Sequence, residues 1–275
     1  MLGLSLGLSL GNPIAAASGP YVFANSEAEA LVAAMTVEPD DARKALIDTL
    51  IGGLKADGVW AAMVADPDSR LCVFAAHDAQ AARLDWLNPA RSASAANAPT
   101  YTTDRGYATD GAASSINLGV AALAFGQNSL CFGVWSLTSD RTDGSIGGAY
   151  DGNSGVSLQP RSSSTVDGAS GRANATAPSA VSTSGGAVAD GRGLFTVNRS
   201  DTTHQQLYRN GTFLTENAVA ASSAPLGINL TLGLFNGTYR AFAFAAALVC
   251  PSLTAAQQLA LYTRLNTYMT AIGAA

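Results

Sequence analysis

Residues 205–216 read QQLYRNGTFLTE, two short apolar runs around an Asn-Gly pair. Leu207 on one side and Phe213 and Leu214 on the other flank the centre Tyr208-Arg209-Asn210-Gly211. A two-residue hairpin loop needs positive φ at both positions, and Asn-Gly meets that need with the least strain. The stretch predicts two antiparallel strands joined by a tight turn, with Leu207 or Tyr208 packed inward. A second pair, Asn236-Gly237, lies between INLTLGLF and TYRAFAF and predicts another hairpin.

The same texture extends from residue 100 to residue 250. Runs such as SSINLG, SLCFGVWSLT, GVSLQPRS, GLFTVNRS and YRAFAFAAALV alternate with clusters of Gly, Asn, Asp and Ser. Many short strands with turn signals every 8–12 residues predict an all-β sandwich or jelly roll. CPSLTAAQQLALYTRLNTYMTAIG then predicts a closing helix. Thr254 and Gln257 form a capping box, Leu261, Leu265 and Tyr268 an apolar stripe, and Gly273 suits the C-terminal cap.

N-terminal to the strands the pattern is helical. Pro39 suits a first turn, and Ala42, Leu46, Leu50 and Leu54 repeat at i+4, widened by Ala45, Ile47 and Ile51. RLCVF (70–74) reads as a short strand, and AAHDAQAARLDWL (75–87) as a helix ended by Asn88-Pro89. Residues 12–36 read as an irregular connector. In the opening MLGLSLGLSLG, Leu2, Leu4, Leu6, Leu8 and Leu10 alternate with Gly and Ser, so an extended arm places all five on one face. That face is expected to pack on its own domain or along a partner's sheet edge. The arm is too short and too rich in Gly and Ser to span a bilayer. It also lacks the basic start of a signal peptide, no charge appearing before Glu27. The expected organisation is an arm and connector (1–36), a small helical region (37–98) and a sandwich with its closing helix (99–275).

Composition narrows the function classes. Hydrophobic residues are 48% of the 275 and charged residues 13%, a folded rather than disordered composition. The net charge of −5, with Lys44 and Lys55 as the only lysines, argues against a nucleic-acid surface. Cys72, Cys131 and Cys250 are odd in number and have no C-x-x-C spacing, so buried free thiols are expected, with a single disulfide as the alternative.

The hairpin carrying LYRNG, the later FNGTYRAFAFAAALV and the helix opened by SLTAAQQLALY together resemble the laminin-G-like, concanavalin A-like jelly-roll family, over about residues 100–275. Three further stretches resemble segments that precede such jelly rolls in virion or tail-region proteins of tailed bacteriophages and prophages. They are EALVAAMTVEPDDARKALIDTLIGGLKADGVW, FAAHDAQAARLDWL and APTYTTDRGYATDG. The resemblance implies a non-enzymatic phage structural protein, located in the virion and displayed on head or tail. Its partners would be capsid or tail components, with the leucine arm docking it. Two alternatives stand beside this. One is an adhesin that binds host-surface carbohydrate, and the other, less favoured, is a glycan-degrading jelly-roll enzyme.

No catalytic, cofactor or metal site is expected. A glycosidase needs two carboxylates across a cleft, yet Glu216 is the only glutamate after Glu38. A serine triad needs a base, and His204 is the only histidine in the β region, within the polar turn NRSDTTHQQ. His77 has no companion histidine. No G-x-S-x-G elbow or P-loop occurs. The resemblance to the jelly-roll family leaves calcium open, but Asp140, Asp143, Asp151 and Asn153 in DRTDGSIGGAYDGNSG lack regular oxygen-ligand spacing, and a solvated turn is expected. The best local grouping for a sugar is Tyr150, Asp151 and Asn153 in that Gly-rich loop. An aromatic ring there could stack on a sugar ring while Asp and Asn take hydroxyls.

Overall fold

The computed structural model describes residues 20–275; the Leu2–Leu10 alternation lies outside the described residues. Three helices come first, α1 (Ser26–Ala33), α2 (Asp41–Ala56) and α3 (Val59–Val64), then β1 (Arg70–Val73). Strands β2 (Ser94–Ala96), β3 (Thr100–Thr102), β4 (Gly106–Asp110), β5 (Ser115–Ala121) and β6 (Leu130–Ser136) follow. The middle of the chain forms β7 (Gly147–Tyr150), β8 (Ser154–Gln159), β9 (Ser170–Thr176), β10 (Val181–Ser182) and β11 (Gly193–Arg199). The hairpin β12 (Gln205–Arg209) and β13 (Thr212–Asn217) precedes β14 (Asn229–Leu232), the small hairpin β15 (Leu234–Phe235) and β16 (Thr238–Tyr239), the long β17 (Ala241–Cys250) and α4 (Ala255–Ala271).

The strands build two antiparallel sheets. One has eight strands in the order β13-β12-β11-β6-β17-β4-β3, with β1 also paired to β17. The other has seven, in the order β10-β9-β8-β7-β14-β5-β2. The two sheets face each other across one core, to which Phe132, Val134, Phe195, Phe242 and Phe244 contribute from the first sheet and Ile116, Leu118, Val156, Leu158 and Leu232 from the second. A second core fills the space between the outer face of the eight-stranded sheet and the helices. There Ile51, Leu54, Trp60, Leu261 and Leu265 meet Leu71, Trp135, Leu248 and Cys250. The layers therefore run helices, eight-stranded sheet, seven-stranded sheet.

Strand β17 explains why the middle sheet can face two cores. AFAFAAALVC is apolar at nearly every position, as expected of a strand covered on both sides. Side chains alternate between faces, and a bulge adds one residue to that count. Against β6, Phe244 pairs with Ser136 and Ala246 with Trp135, so Ala245 is the extra residue. Phe242 and Phe244 point into the sandwich before the bulge, and Ala247 and Val249 do so after it. Ala246, Leu248 and Cys250 turn to the helices. The other edge of β17 is divided, its first half paired with β4 and its second with β1.

The closing helix is held as its sequence predicts. Thr254 Oγ1 accepts from Gln257 N at 3.3 Å, and Gln257 Oε1 accepts from Thr254 N at 2.9 Å. Asn198 on β11 grips the lead-in segment from both sides, donating to Leu253 O and accepting from Leu253 N. The buried Gln258 accepts from Thr196 Oγ1 at 2.8 Å, fixing α4 on the sheet.

Both Asn-Gly pairs form the expected turns, with φ of 51° and 72° at Asn210 and Gly211 and 50° and 72° at Asn236 and Gly237. Leu207 and Tyr208 are both buried, Leu207 in the sandwich core. The surroundings of the two turns differ. A Cβ on Gly211 would stand 2.6 Å from Leu259 Cα of α4, whereas one on Gly237 would meet nothing within 4 Å. The first turn is wedged under a helix, and the second projects freely.

Three local expectations are corrected. Residues 26–33, expected within a connector, form α1, which buries Ala28, Leu31 and Val32. On α2 the buried side chains are Lys44, Ile47, Asp48, Leu50, Ile51 and Leu54, while Ala42 is exposed, so the stripe is rotated from the expected one. The helix expected over 75–87 is reduced to one 3₁₀ turn at Ala81–Arg83. Tertiary pairing wins there. Fully buried Asp85 accepts from Leu71 N and Leu87 N, Trp86 N donates to Leu71 O, and Arg91 approaches Asp85 at 2.7 Å. These bonds draw the segment out along β1. The three cysteines are free and buried, Cys131 and Cys250 standing opposite each other on β6 and β17.

Gly211→Ala and Gly237→Ala should therefore separate strain from packing. Both place a Cβ at positive φ, worth about 1–2 kcal/mol. Only the first also displaces α4, adding about 1–3 kcal/mol. Chemical denaturation is expected to show the larger loss at position 211, and equal losses would contradict the wedged turn.

Asp48 makes a second test. It accepts from Ala24 N, Asn25 N, Asn25 Nδ2 and Tyr21 Oη, which fastens the chain entry to α2. Burial pushes its pKa up, but these donors outweigh burial and hold it below the ordinary carboxylate value. A carboxyl with a depressed folded pKa stabilises above its unfolded value, near about 3.9, and loses that contribution as the pH falls through the folded value. Asp48→Asn should reduce stability at neutral pH and flatten the acid-side fall of a stability–pH profile.

Candidate functional site

The outward face of the seven-stranded sheet is assembled from the alternate residues of strands whose other residues fill the core. On β8, Val156 and Leu158 point inward, which leaves Ser157 and Gln159 outside. On β9, Ala173 points inward, and Ser170 and Arg172 point out. The two strands set these residues side by side, Ser157 opposite Arg172 and Gln159 opposite Ser170. Ser170 Oγ donates to Gln159 Oε1 at 3.2 Å, and Gln159 Nε2 donates to Thr142 O at 2.7 Å.

The free hairpin β15–β16 rises beside this floor. Phe235, Asn236 and Thr238 from it, with Arg240 just beyond, wall a groove of about 240 Å³ over Ser157, Gln159, Ser170 and Arg172. Gly144 and Ser145 also line it. The Arg240 guanidinium occupies the place a side chain at 144 would take, since a Cβ there would stand 2.8 Å from Arg240 Nη2. Among the described residues no Asp, Glu or His lines the groove.

Tyr150 lies at the edge of this groove and gives part of its ring to the protein itself. Phe235 stacks on it at 5.4 Å with 28° between planes, and Arg172 lies over it at 4.9 Å. These neighbours come from the β14 side and the β9 side of β7. Its hydroxyl donates to Gly152 O at 2.8 Å. Asp151 Oδ1 accepts from Asn153 N and Ser154 N, which closes the turn and holds its carboxyl below the usual range. None of the three expected sugar-binding residues lines the groove, although Tyr150 touches Phe235 and Arg172, which do. Arg172, Phe235 and Arg240 were not singled out in the sequence. The available signal was parity, since Arg172 alternates with small core-facing residues in SGRANAT.

The LYRNG hairpin supplies shape. Tyr208 packs edge-on against Phe213 at 5.8 Å, and Arg209 lies over Phe195 at 5.5 Å and donates to Arg192 O. Arg209 also borders a separate cavity of about 330 Å³ with Trp135, Arg192 and Tyr262. His204 is half-exposed against Asp201 at 2.8 Å, and His77 Nε2 lies 2.8 Å from Val37 O. Among the described residues no three His, Cys, Asp or Glu side chains converge as a metal site, and no helix is long and apolar enough to cross a membrane.

Solved structures share the architecture. A sialidase of Trypanosoma rangeli in complex with 2,3-difluoro-KDN matches 82% of this chain at 13% identity, with a TM-score of 0.53. This chain is a jelly-roll β-sandwich. It spans 40% of the sialidase's length. Domain 4 of an extracellular arabinanase from Geobacillus stearothermophilus, solved with arabinotriose, matches 70% of the chain and 99% of that domain at 14% identity, with a TM-score of 0.42. The binding domain of botulinum neurotoxin serotype D matches 74% of the chain and 52% of that domain at 11% identity, with a TM-score of 0.45. No protein-family model matches the chain, and no curated protein matches it by sequence. At these identities the likeness is one of fold, and function has to be read from the site.

Proposed function

We propose that this chain is a non-enzymatic carbohydrate-binding module, and that its ligand lies in the groove on the outward face of the seven-stranded sheet. The observation that carries this is the groove's chemistry. A floor of hydroxyl, amide and guanidinium groups lies beside the aromatic ring of Phe235, on a sheet face left open among the described residues. Sugars present hydroxyls around an edge and C–H groups on a face, and such a surface serves both. Hydrolysis would need an acid and a base or nucleophile, and the lining offers neither kind of carboxylate. The volume is below the ~300–1,000 Å³ of pockets that enclose a drug-sized ligand, so one sugar ring fits and the rest of a chain stays in solvent.

Affinity per site should be weak, in the range of about 1 mM, and rise steeply when many copies are displayed together. A glycan array probed with a multivalent form of the full chain should give hits that disappear in Phe235→Ala, with the melting temperature of that variant recorded as control. Hits that survive in a folded Phe235→Ala variant would place binding elsewhere, and no hits would reject the module.

The resemblance to phage proteins suggests where the module works, and the order of layers favours it. The described chain enters at the helical layer, where Tyr21 and Asn25 are fixed to α2, and the groove lies on the opposite outer face. A virion component docked through residues 1–19 would turn its groove outward. Mass spectrometry of purified particles should detect the full chain and should not detect a variant lacking residues 1–19. Retention of the shortened chain would end the docking idea.

A further inference from the structure

We infer that the sugar taken by this groove is acidic, its carboxylate held between the guanidinium groups of Arg172 and Arg240. The inference rests on the carbohydrate reading above and adds the class of saccharide.

Both arginines line the one cavity, and no carboxylate accompanies them. Nearby arginines behave differently. Arg141 and Arg161 each reach Asp167 at 2.8 Å. Among the described residues Arg172 and Arg240 have no such partner. Arg83, Arg105, Arg199 and Arg209 also lack a carboxylate, but each donates to a backbone carbonyl, whereas among the described residues the side chains of Arg172 and Arg240 donate to nothing.

Arg172 is the more exacting case. Its Nε and Nη1 are shielded from solvent and have no hydrogen-bond partner. A buried charged donor without an acceptor is unfavourable, and contact with the Tyr150 ring at 4.9 Å offsets only part of that. The strand cannot shift to relieve it. The next residue, Ala173, accepts from Arg199 Nε at 2.6 Å through its carbonyl and donates its amide to Gln205 Oε1. Arg199 and Gln205 belong to the opposite sheet and are fully buried, so the sandwich interior fixes the outward aim of Arg172.

Arg240 is fixed as well. Its amide donates to Gly233 O at 2.8 Å, and its carbonyl accepts from Thr109 Oγ1 at 2.6 Å. Its guanidinium fits over Gly144 only because that position has no side chain. Two guanidinium groups in an acid-free groove suit the two oxygens of a carboxylate, Arg172 offering Nη2, the nitrogen of its guanidinium that is not shielded, and charge-assisted hydrogen bonds of this kind are short and strong. A single uronate ring would lie against Phe235 with its carboxylate toward the two arginines.

The test is a calorimetric titration of the full chain with oligosaccharides of galacturonate, glucuronate, mannuronate and guluronate, each paired with its methyl ester. At least one acid is expected to bind ten times more tightly than its own ester and to weaken as salt is raised. Arg172→Gln and Arg240→Gln should each remove at least tenfold from that acid's affinity while leaving the melting temperature near that of the parent. Gly144→Val, which displaces the Arg240 guanidinium without touching its charge, should do the same. If every ester binds as well as its acid, the acidic specificity is wrong and the carbohydrate reading stands. If none of these sugars binds and the glycan array is also blank, both readings fall. The acid–ester comparison uses the unaltered protein, so it decides the matter even if a variant does not fold.

Discussion

The structure depends on a strand that must be apolar on both faces. Strand β17 runs through the centre of the eight-stranded sheet, with the sandwich core on one side and the helices on the other. Its bulge at Ala245 resets which residues face which core, and the same strand divides its free edge between β4 and β1. A strand covered on one face could not have recruited a helical layer, so the helices lie on the eight-stranded sheet and the groove on the outward face of the seven-stranded one.

The two Asn-Gly hairpins show how one local solution serves two ends. Their backbone angles agree within a few degrees, as the shared turn type requires. The turn at Asn210-Gly211 presses against α4, and the strand pair it joins becomes framework. At Gly237 an added Cβ would meet nothing among the described residues, and the strands of that hairpin wall the groove. The feature that separates the two is the presence or absence of a neighbour from a distant part of the chain, and no local motif encodes that.

Much of the architecture was legible for this reason, and the site was not. Strand runs, turn pairs and the Thr254–Gln257 capping box are set by nearest neighbours in sequence, and they occur where expected. The segment 75–87 reads as a helix by composition, yet the pull of Asp85 toward Leu71 makes it extended, an outcome fixed by pairing far along the chain. Tyr150, Asp151 and Asn153 stand together in sequence, but Asp151 serves its own turn. Arg172 and Arg240 lie far apart and meet only through the sheet order β9-β8-β7-β14 and the hairpin that follows. A site made of outward residues from separate strands is invisible until the order of the strands is known.

The distribution of amines has a practical consequence. Both lysines belong to α2, Lys44 mostly covered and bound to Glu38 and Asp41, Lys55 more open beside Glu27. From residue 56 to the C-terminus there is none. Reagents that attack lysine side chains therefore reach only the helical layer, opposite the groove. A layer of this protein coupled to a surface through Lys55 would stand with every groove pointing to the solution, a uniform orientation that random attachment to most proteins does not give.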